Sequence, residues 1–374
     1  MQLRADWLTH SGTIAVFDAL GTHKAWFVGG CVRNGLLEQP VDDIDITTDA
    51  TPEIVMECAE AAGLRAMPTG IDHGTVTVIA HDKPHEITTL RRDIETDGRH
   101  AKVAFSTRLE EDAARRDFTI NALYATRDGA VIDPNGAGLD DLQARRLRFI
   151  GDPAQRITED YLRILRFFRF HAWYADPEGG IDAEGLAACA SHLDGLDRLA
   201  AERVTTELMK LLTAPDPAPS VAAMEQSGVL TAILPGASTR LLTLLSGSEP
   251  DTDPIRRLAA LTDAPNLRLS KSDATQHALY RAEMATGTSP GELGYRHGAD
   301  AARNIVLLRA ALFEQPTDPA AMNAAIHGAQ QVFPVKAADL MPELQGPALG
   351  ERLKTLEQRW IDSGFTLTKQ ALIG

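Results

Sequence analysis

The hydrophobic period changes once along this chain, and the change limits the folds open to it. Over residues 1 to about 150, short β-branched runs alternate with helical patterns, as in an α/β domain. From Arg156 onward the alternation fades and helical spacing takes over. Strands are predicted at Lys24–Val28 (KAWFV), Ile44–Thr48, Thr75–Ala80 (TVTVIA), Glu86–Leu90 and Ala130–Asp133. Thr51, Pro52 and Glu53 have the residue types that start a helix, which is predicted to run to Gly63. In the second half one long helix is predicted from Glu159 to about Trp173, with others at Ala200–Leu212 and Ser220–Leu230. The stretch APDPAPS, Ala214 to Ser220, holds three prolines in seven residues and is the best boundary candidate.

Composition narrows the function classes. A chain of 374 residues is long enough for two or three domains, and 44% apolar with 24% charged residues is a globular balance. The net charge of −15 argues against gripping a polyanion over the whole surface, so any nucleic acid must bind at a local basic patch. Cys31, Cys58 and Cys189 are odd in number and far apart, which suits a reducing compartment better than a disulfide framework or a zinc site. MQLRADWLTH lacks an apolar signal core, and no apolar run reaches the ~18 residues that span a bilayer. The expectation is a cytoplasmic protein with no membrane partner.

Val41 to Glu53 reads VDDIDITTDATPE. Side chains alternate along a strand, so Asp43 and Asp45 are predicted on one face and Asp42 on the other. Two carboxylates side by side repel unless a cation lies between them. Mg²⁺ takes hard oxygen ligands from one or two carboxylates plus substrate phosphates, which makes a nucleoside triphosphate the expected third partner. A bare D-x-D also suits an acidic turn, but FVGGCVR precedes this one. There a strand, the flexible pair Gly29 and Gly30, and a helix start carrying Arg33 form a phosphate-binding pattern.

Two further stretches carry charge in unusual places. In ARRDFTINA, Arg115 and Arg116 could clamp phosphates, while Asp117 and Asn121 are spaced to share a helix face. In TEDYLRILRFFRF, Asp160, Arg163, Arg166 and Arg169 recur every third residue on a helix that is otherwise apolar. Guanidiniums placed there need anionic partners. Residues 145 to 169 hold seven arginines against three carboxylates, which a polyphosphate or an RNA backbone would satisfy.

These motifs, with EITTLRRDIETDGRHAKVAF and RFIGDPAQRITEDYLRILRFFRF, resemble in order those of the class II tRNA nucleotidyltransferases, the CCA-adding enzymes of the DNA polymerase β superfamily. The wording is closest to the mitochondrial and eukaryotic-like branch. The resemblance covers residues 24 to 173 densely and is only helical character beyond. It implies an α+β fold: a nucleotidyltransferase head with a small mixed sheet over 1–150, a helical neck over 151–215 with the nucleotide-selecting helix, and a helical body and tail over 216–374.

By the same resemblance, Asp43 and Asp45 are catalytic and bind two Mg²⁺ ions, with Glu86 a weaker third carboxylate. Gly29, Gly30 and Arg33 hold the triphosphate. Arg116 and Asp117, with Asn121 on the same motif, orient the ribose and phosphates. Asp160 and Arg163 read the incoming base, and Arg166 and Arg169 extend that surface. Residues 91 to 103 resemble the flexible loop used in passing from C to A addition. The implied activity is addition of C, C and A to the tRNA 3′ end from CTP and ATP without a nucleic-acid template. The implied partner is the acceptor end and TΨC arm of tRNA, with no stable protein partner. A bacterial poly(A) polymerase or a non-catalytic RNA-binding relative is the alternative. Asn34 departs from the Asp usual after V-R, and His100 from a second Arg found in many bacterial members. No His-Asp phosphohydrolase signature is evident.

Overall fold

The structure is a computed structural model that describes residues 1–95, 102–263 and 266–374. Among the described residues nine strands run in chain order: β1 (Ala25–Val28), β2 (Ile44–Thr48), β3 (Arg65–Gly70), β4 (Thr75–Ala80), β5 (Lys83–Thr89), β6 (Arg91–Glu95), β7 (Lys102–Phe105), β8 (Tyr124–Ala125) and β9 (Val131–Ile132). Seven form one sheet in the order β3-β4-β5-β2-β1-β8-β9, and β6 pairs with β7 separately. Only β2 and β5 run parallel, so the sheet is mixed, as the resemblance implies.

A cross-strand row sets the register. Phe27 lies opposite Ile46, Ile46 beside Ile87, and Ile87 opposite Val76, each at most 1% exposed. Because the side-chain period of a strand is two, a one-residue slip would turn this row out of the core. The next positions along, Asp45 and Glu86, are therefore held as neighbours on the opposite face of the sheet.

Helices α1 (Ser11–Leu20) and α3 (Pro52–Ala61) pack on β4 and β5, and α2 (Gly30–Leu36) on β1 and β2. Thr51 is the N-cap residue of α3 and Pro52 takes its first turn, as predicted. Strand β3 was not foreseen: RAMPTG holds a proline and a glycine, lacks apolar alternation, and forms at the sheet edge where Pro68 is tolerated.

The helical part of this unit continues through α4 (Leu109–Ala114), α5 (Gly138–Gln143), α6 (Pro153–Glu159), α7 (Leu162–Tyr174), α8 (Ala183–Ser191) and α9 (Ala201–Leu212). The single helix predicted from Glu159 to Trp173 is thus corrected to two. Asp160 is extended between them, and its Oδ1 accepts the Leu162 N–H at 3.1 Å. A short acidic side chain that satisfies a free backbone donor favours a new helix start over a continuous helix. The apolar side of α7 joins an aromatic cluster in which Phe118, Phe149, Phe167 and Phe170 have ring centroids 4.9 to 6.2 Å apart.

The chain forms two compact units, residues 1–211 with 226–233, and residues 212–225 with 234–374. Within the second, Arg256 and Arg257 are almost fully buried, and each meets Glu249 at 2.6 Å. Arg257 also donates to the carbonyls of Leu212 and Ala214 in the same unit. The predicted helix over 220–230 is split by Gly228, whose φ of +80° suits a residue without Cβ. Among the described residues no helix is long and apolar enough to cross a membrane.

Gly195 lies against Tyr161, which follows the α6–α7 break directly, and a Cβ there would overlap the Tyr161 ring. Gly195→Ala is expected to displace Tyr161 and cost about 1–3 kcal/mol of stability, read as a lower urea midpoint.

Candidate functional site

The site starts from the sheet register. Asp45 on β2 stands beside Glu86 on β5, and Asp43 precedes β2 by one residue. Burial first, then the neighbouring Glu86 and Asp43 charges, raise the Asp45 carboxyl to about 6 despite Arg116 and Arg33 nearby. Among the described residues none of these three carboxylates makes a hydrogen bond or ion pair. Nor does any group of three or more His, Cys, Asp or Glu there form a metal cage by itself. Asp42 is exposed and lies outside β2.

Gly29 forms the turn from β1 into α2 with φ +72°, and a Cβ there would face the Arg116 guanidinium. Only glycine adopts this conformation without strain while letting the guanidinium lie so close. Arg116 does not face the turn as a free cation. It pairs with Asp112 at 3.0 Å, while Asp112 also pairs with Arg115 at 2.6 Å and accepts from the Tyr124 hydroxyl at 2.7 Å. Asp112 is fully buried; burial alone would raise its pKa, but Arg116 and Arg115 outweigh that and hold it well below the usual carboxylate range. Nothing in the sequence marked Asp112, because it is one of three adjacent acidic residues in LEEDAA on a short helix, with no pattern to single it out.

Arg33 is buried in the same region. Its guanidinium donates to Asn121 Oδ1 and to the Tyr174 hydroxyl at 2.7 Å, and stacks 4.0 Å from the Tyr174 ring centroid. Asn121 donates to Asp117 Oδ1 at 3.0 Å. Arg166 donates to Asp117 Oδ2 through Nε at 2.7 Å and a terminal nitrogen at 2.5 Å. Arg169 meets Glu207 at 2.6 Å, and Arg166 approaches the same carboxylate at 3.9 Å. The result is a continuous ladder, Arg33–Asn121–Asp117–Arg166–Glu207–Arg169, linking α2, the 115–121 segment, α7 and α9. Asp117 and Asn121 meet as their spacing suggests, although Asn121 ends a short 3₁₀ turn rather than an α-helix.

Asp160 and Arg163 do not pair with each other. Asp160 Oδ2 meets Arg203 of α9 at 2.7 Å, and Arg163 meets Glu159 at 2.6 Å while donating to the Arg156 and Arg115 carbonyls at 2.9 Å. Since Asp160 precedes α7, the predicted stripe of four residues on one helix reduces to Arg163, Arg166 and Arg169. The expectation that an external polyanion neutralises the arginine-rich stretch is also revised. Arg146 and Arg148 pair with Asp141, Arg156 and Arg163 with Glu159, Arg166 with Asp117, and Arg169 with Glu207. Three of these four carboxylate residues, Asp117, Asp141 and Glu207, lie outside the 145–169 stretch, so a local charge count could not reveal them. The centre of the predicted 91–103 loop, including His100, falls outside the described residues.

A mixed sheet that sets crowded carboxylates beside a glycine turn is the arrangement that the sequence resemblance implies for the head. The model of the poly A polymerase head domain matches residues 25–148, and that of the probable RNA and SrmB-binding site of polymerase A matches residues 180–241. The mitochondrial CCA tRNA nucleotidyltransferase 1 of Homo sapiens is 44% identical over 191 residues, covering 51% of this chain and 44% of its own. The CCA-adding enzyme of Streptococcus gordonii is 42% identical over 194 residues, covering 51% of this chain and 47% of its own. The Bacillus stearothermophilus CCA-adding enzyme, solved in complex with CTP, superposes with a TM-score of 0.72 at 25% identity, covering 94% of this chain and 92% of that one. The chain is thus similar in sequence to CCA-adding enzymes over about half of its length, and similar in fold to a solved one over nearly all of it. It matches less than half the length of these curated relatives.

Asp117 provides a pH test of the ladder. Burial disfavours its charge, but Arg166, Asn121 and the Phe118 N–H more than compensate, and its pKa falls to about 2. A folded pKa below the unfolded one means this stability is present above about pH 4 and is lost as pH falls toward 2. Asp117→Asn is expected to remove roughly 2 kcal/mol of that acid dependence, read as a flatter slope of unfolding free energy against pH between 4 and 2.

Proposed function

We propose that this chain adds C, C and A to the 3′ end of tRNA, using CTP and ATP and no nucleic-acid template. The observation that carries the reading is the Asp43, Asp45 and Glu86 carboxylate group, lacking protein partners among the described residues, beside the Gly29 turn and Arg116. The curated relatives and the CTP-bound structure support it.

The carboxylate group suits Mg²⁺: hard oxygens, with Asp45 half-buried and crowded by the exposed Asp43 and Glu86, matched to an ion that shares its ligands with substrate phosphates. Asp43 and Asp45 would hold two such ions, with Glu86 a weaker third ligand. When bound, they activate the attacking 3′-hydroxyl and stabilise the leaving pyrophosphate.

The remaining roles belong to the chain itself. Gly29 and Gly30 let the backbone approach the triphosphate, with Arg33 and Arg116 supplying fixed positive charge. Asp117 and Asn121 keep Arg33 and Arg166 oriented toward the nucleotide, and Arg169 extends that cationic side. Asp160 accepts from the exocyclic amine of cytosine or adenine while Arg163 donates to the ring edge; uracil and guanine offer the opposite pattern at that edge. In this reading residues 1–150 form the head, 151–215 the neck, and 216–374 a body and tail that hold the acceptor end and TΨC arm in a cytoplasmic enzyme.

The head family's name keeps one second reading open, a bacterial poly(A) polymerase that adds AMP to RNA 3′ ends. End-labelled tRNA lacking CCA, given CTP, ATP or both and resolved at single nucleotides, separates the two. CTP alone is expected to extend the tRNA by two residues and both nucleotides by three, whereas long A tails with ATP and no extension with CTP would favour the polymerase. Asp45→Asn is expected to abolish incorporation while the unfolding transition is retained. Asp160→Ala is expected to admit UTP and GTP; unchanged preference for C and A would remove Asp160 from base reading.

A further inference from the structure

Helix α9 presents three partners in succession to the segment proposed to read the nucleotide. Arg203 meets Asp160 at 2.7 Å, Glu207 meets Arg169 at 2.6 Å and Arg166 at 3.9 Å, and the Lys210 carbonyl accepts the Trp173 indole N–H at 2.8 Å. Arg203 and Glu207 are four residues apart and so share one helix face, where their opposite charges match those opposite them. The residues just before α9 serve the same segment: Gly195 packs on the Tyr161 ring, and the Arg198 guanidinium lies 5.5 Å from that ring's centroid.

We infer that Arg203 is a positioning residue for nucleotide choice, orienting the Asp160 carboxylate for the exocyclic amine of the incoming base. The inference rests on the base-reading role proposed above for Asp160. A carboxylate offers roughly four lone-pair sites. At Asp160 the Leu162 N–H takes one on Oδ1 at 3.1 Å and Arg203 takes one on Oδ2 at 2.7 Å. With both oxygens held, the carboxylate plane is fixed and each oxygen keeps an open acceptor site. Without Arg203 one anchor is gone, the group can rotate about its terminal torsion, and a water or hydroxyl can take the freed lone pair. The acceptor pattern that distinguishes an amine from a carbonyl is then no longer held in place.

The geometry also explains the residue type. A guanidinium has several donors in one plane and stays charged, whereas a lysine ammonium would keep the charge without the planar fork. Arg203 and Asp160 are about three-quarters buried, which limits competition from water for the pair.

The test uses the full chain, end-labelled tRNA lacking CCA, and each of the four nucleoside triphosphates, with kcat and KM measured for wild type, Arg203→Met, Arg203→Lys, Asp160→Ala and the Arg203→Met/Asp160→Ala double variant. Arg203→Met is expected to lower discrimination of CTP and ATP against UTP and GTP about tenfold, with KM rising by more than kcat falls. Arg203→Lys should lie between Met and wild type. In the Asp160→Ala background Arg203→Met should cost no further discrimination, because the residue acts through that carboxylate. If wild type adds neither C nor A, or Asp160→Ala keeps full discrimination, the underlying reading fails and this inference falls with it. If Asp160→Ala loosens discrimination while Arg203→Met and Arg203→Lys do not, only the inference is overturned. The same holds if Arg203→Met has an equal effect with and without Asp160, which a purely structural role would give. Where Arg203→Met does not fold, Arg203→Lys and its double variant with Asp160→Ala decide the outcome.

Discussion

The contact of two Arg166 nitrogens with Asp117 Oδ2 is the interaction on which the rest of the site depends. Asp117 is buried; its Oδ2 takes Arg166, while its Oδ1 accepts from both the Asn121 amide and the Phe118 N–H. Asn121 in turn holds Arg33, and Arg166 reaches toward the Glu207 carboxylate that Arg169 occupies. One carboxylate thereby ties the turn after β1, the 115–121 segment and α7 into a single electrostatic unit. Desolvation makes such ladders a doubtful source of net stability. What they do supply is a fixed arrangement, since each charge has few alternative partners of comparable geometry in the low-dielectric interior.

The two kinds of charge in the site are treated in opposite ways. The arginines are nearly all paired within the protein, whereas the carboxylates at Asp43, Asp45 and Glu86 lack protein partners among the described residues. The apolar row Phe27–Ile46–Ile87–Val76 forces this crowding, because it sets the register that makes Asp45 and Glu86 neighbours. A sheet that is stable for apolar reasons thus holds like charges together against their repulsion. Charges oriented before a ligand arrives need little rearrangement during reaction, which is where electrostatic catalysis obtains most of its effect.

The parts legible in the sequence were those written in local patterns. The strands at Ala25–Val28, Ile44–Thr48 and Thr75–Ala80 follow β-branched and aromatic runs, and α3 follows its Thr-Pro-Glu start. Edge strand β3 was missed because an edge needs no apolar alternation, and the break at Asp160 was missed because every-third-residue spacing fits a continuous helix equally well. Asp112, Glu207 and Arg203 carried no signal of their own. Each is an ordinary charged residue on a helix, and Asp112 pairs with arginines that a sequence reading assigned to phosphates.

By itself the sequence determined the order of motifs, the change from mixed to helical structure, and the candidate metal-binding and nucleotide-binding residues, because these depend on residue type and short spacing. Only the tertiary structure decided which charges face one another. It set Asp45 beside Glu86 across a parallel pair 41 residues apart in the chain, and Asp160 against Arg203 rather than Arg163. Ion pairing falls off steeply with distance and depends on the surrounding dielectric. Both quantities arise only when separate elements pack, so no reading of local spacing could supply them.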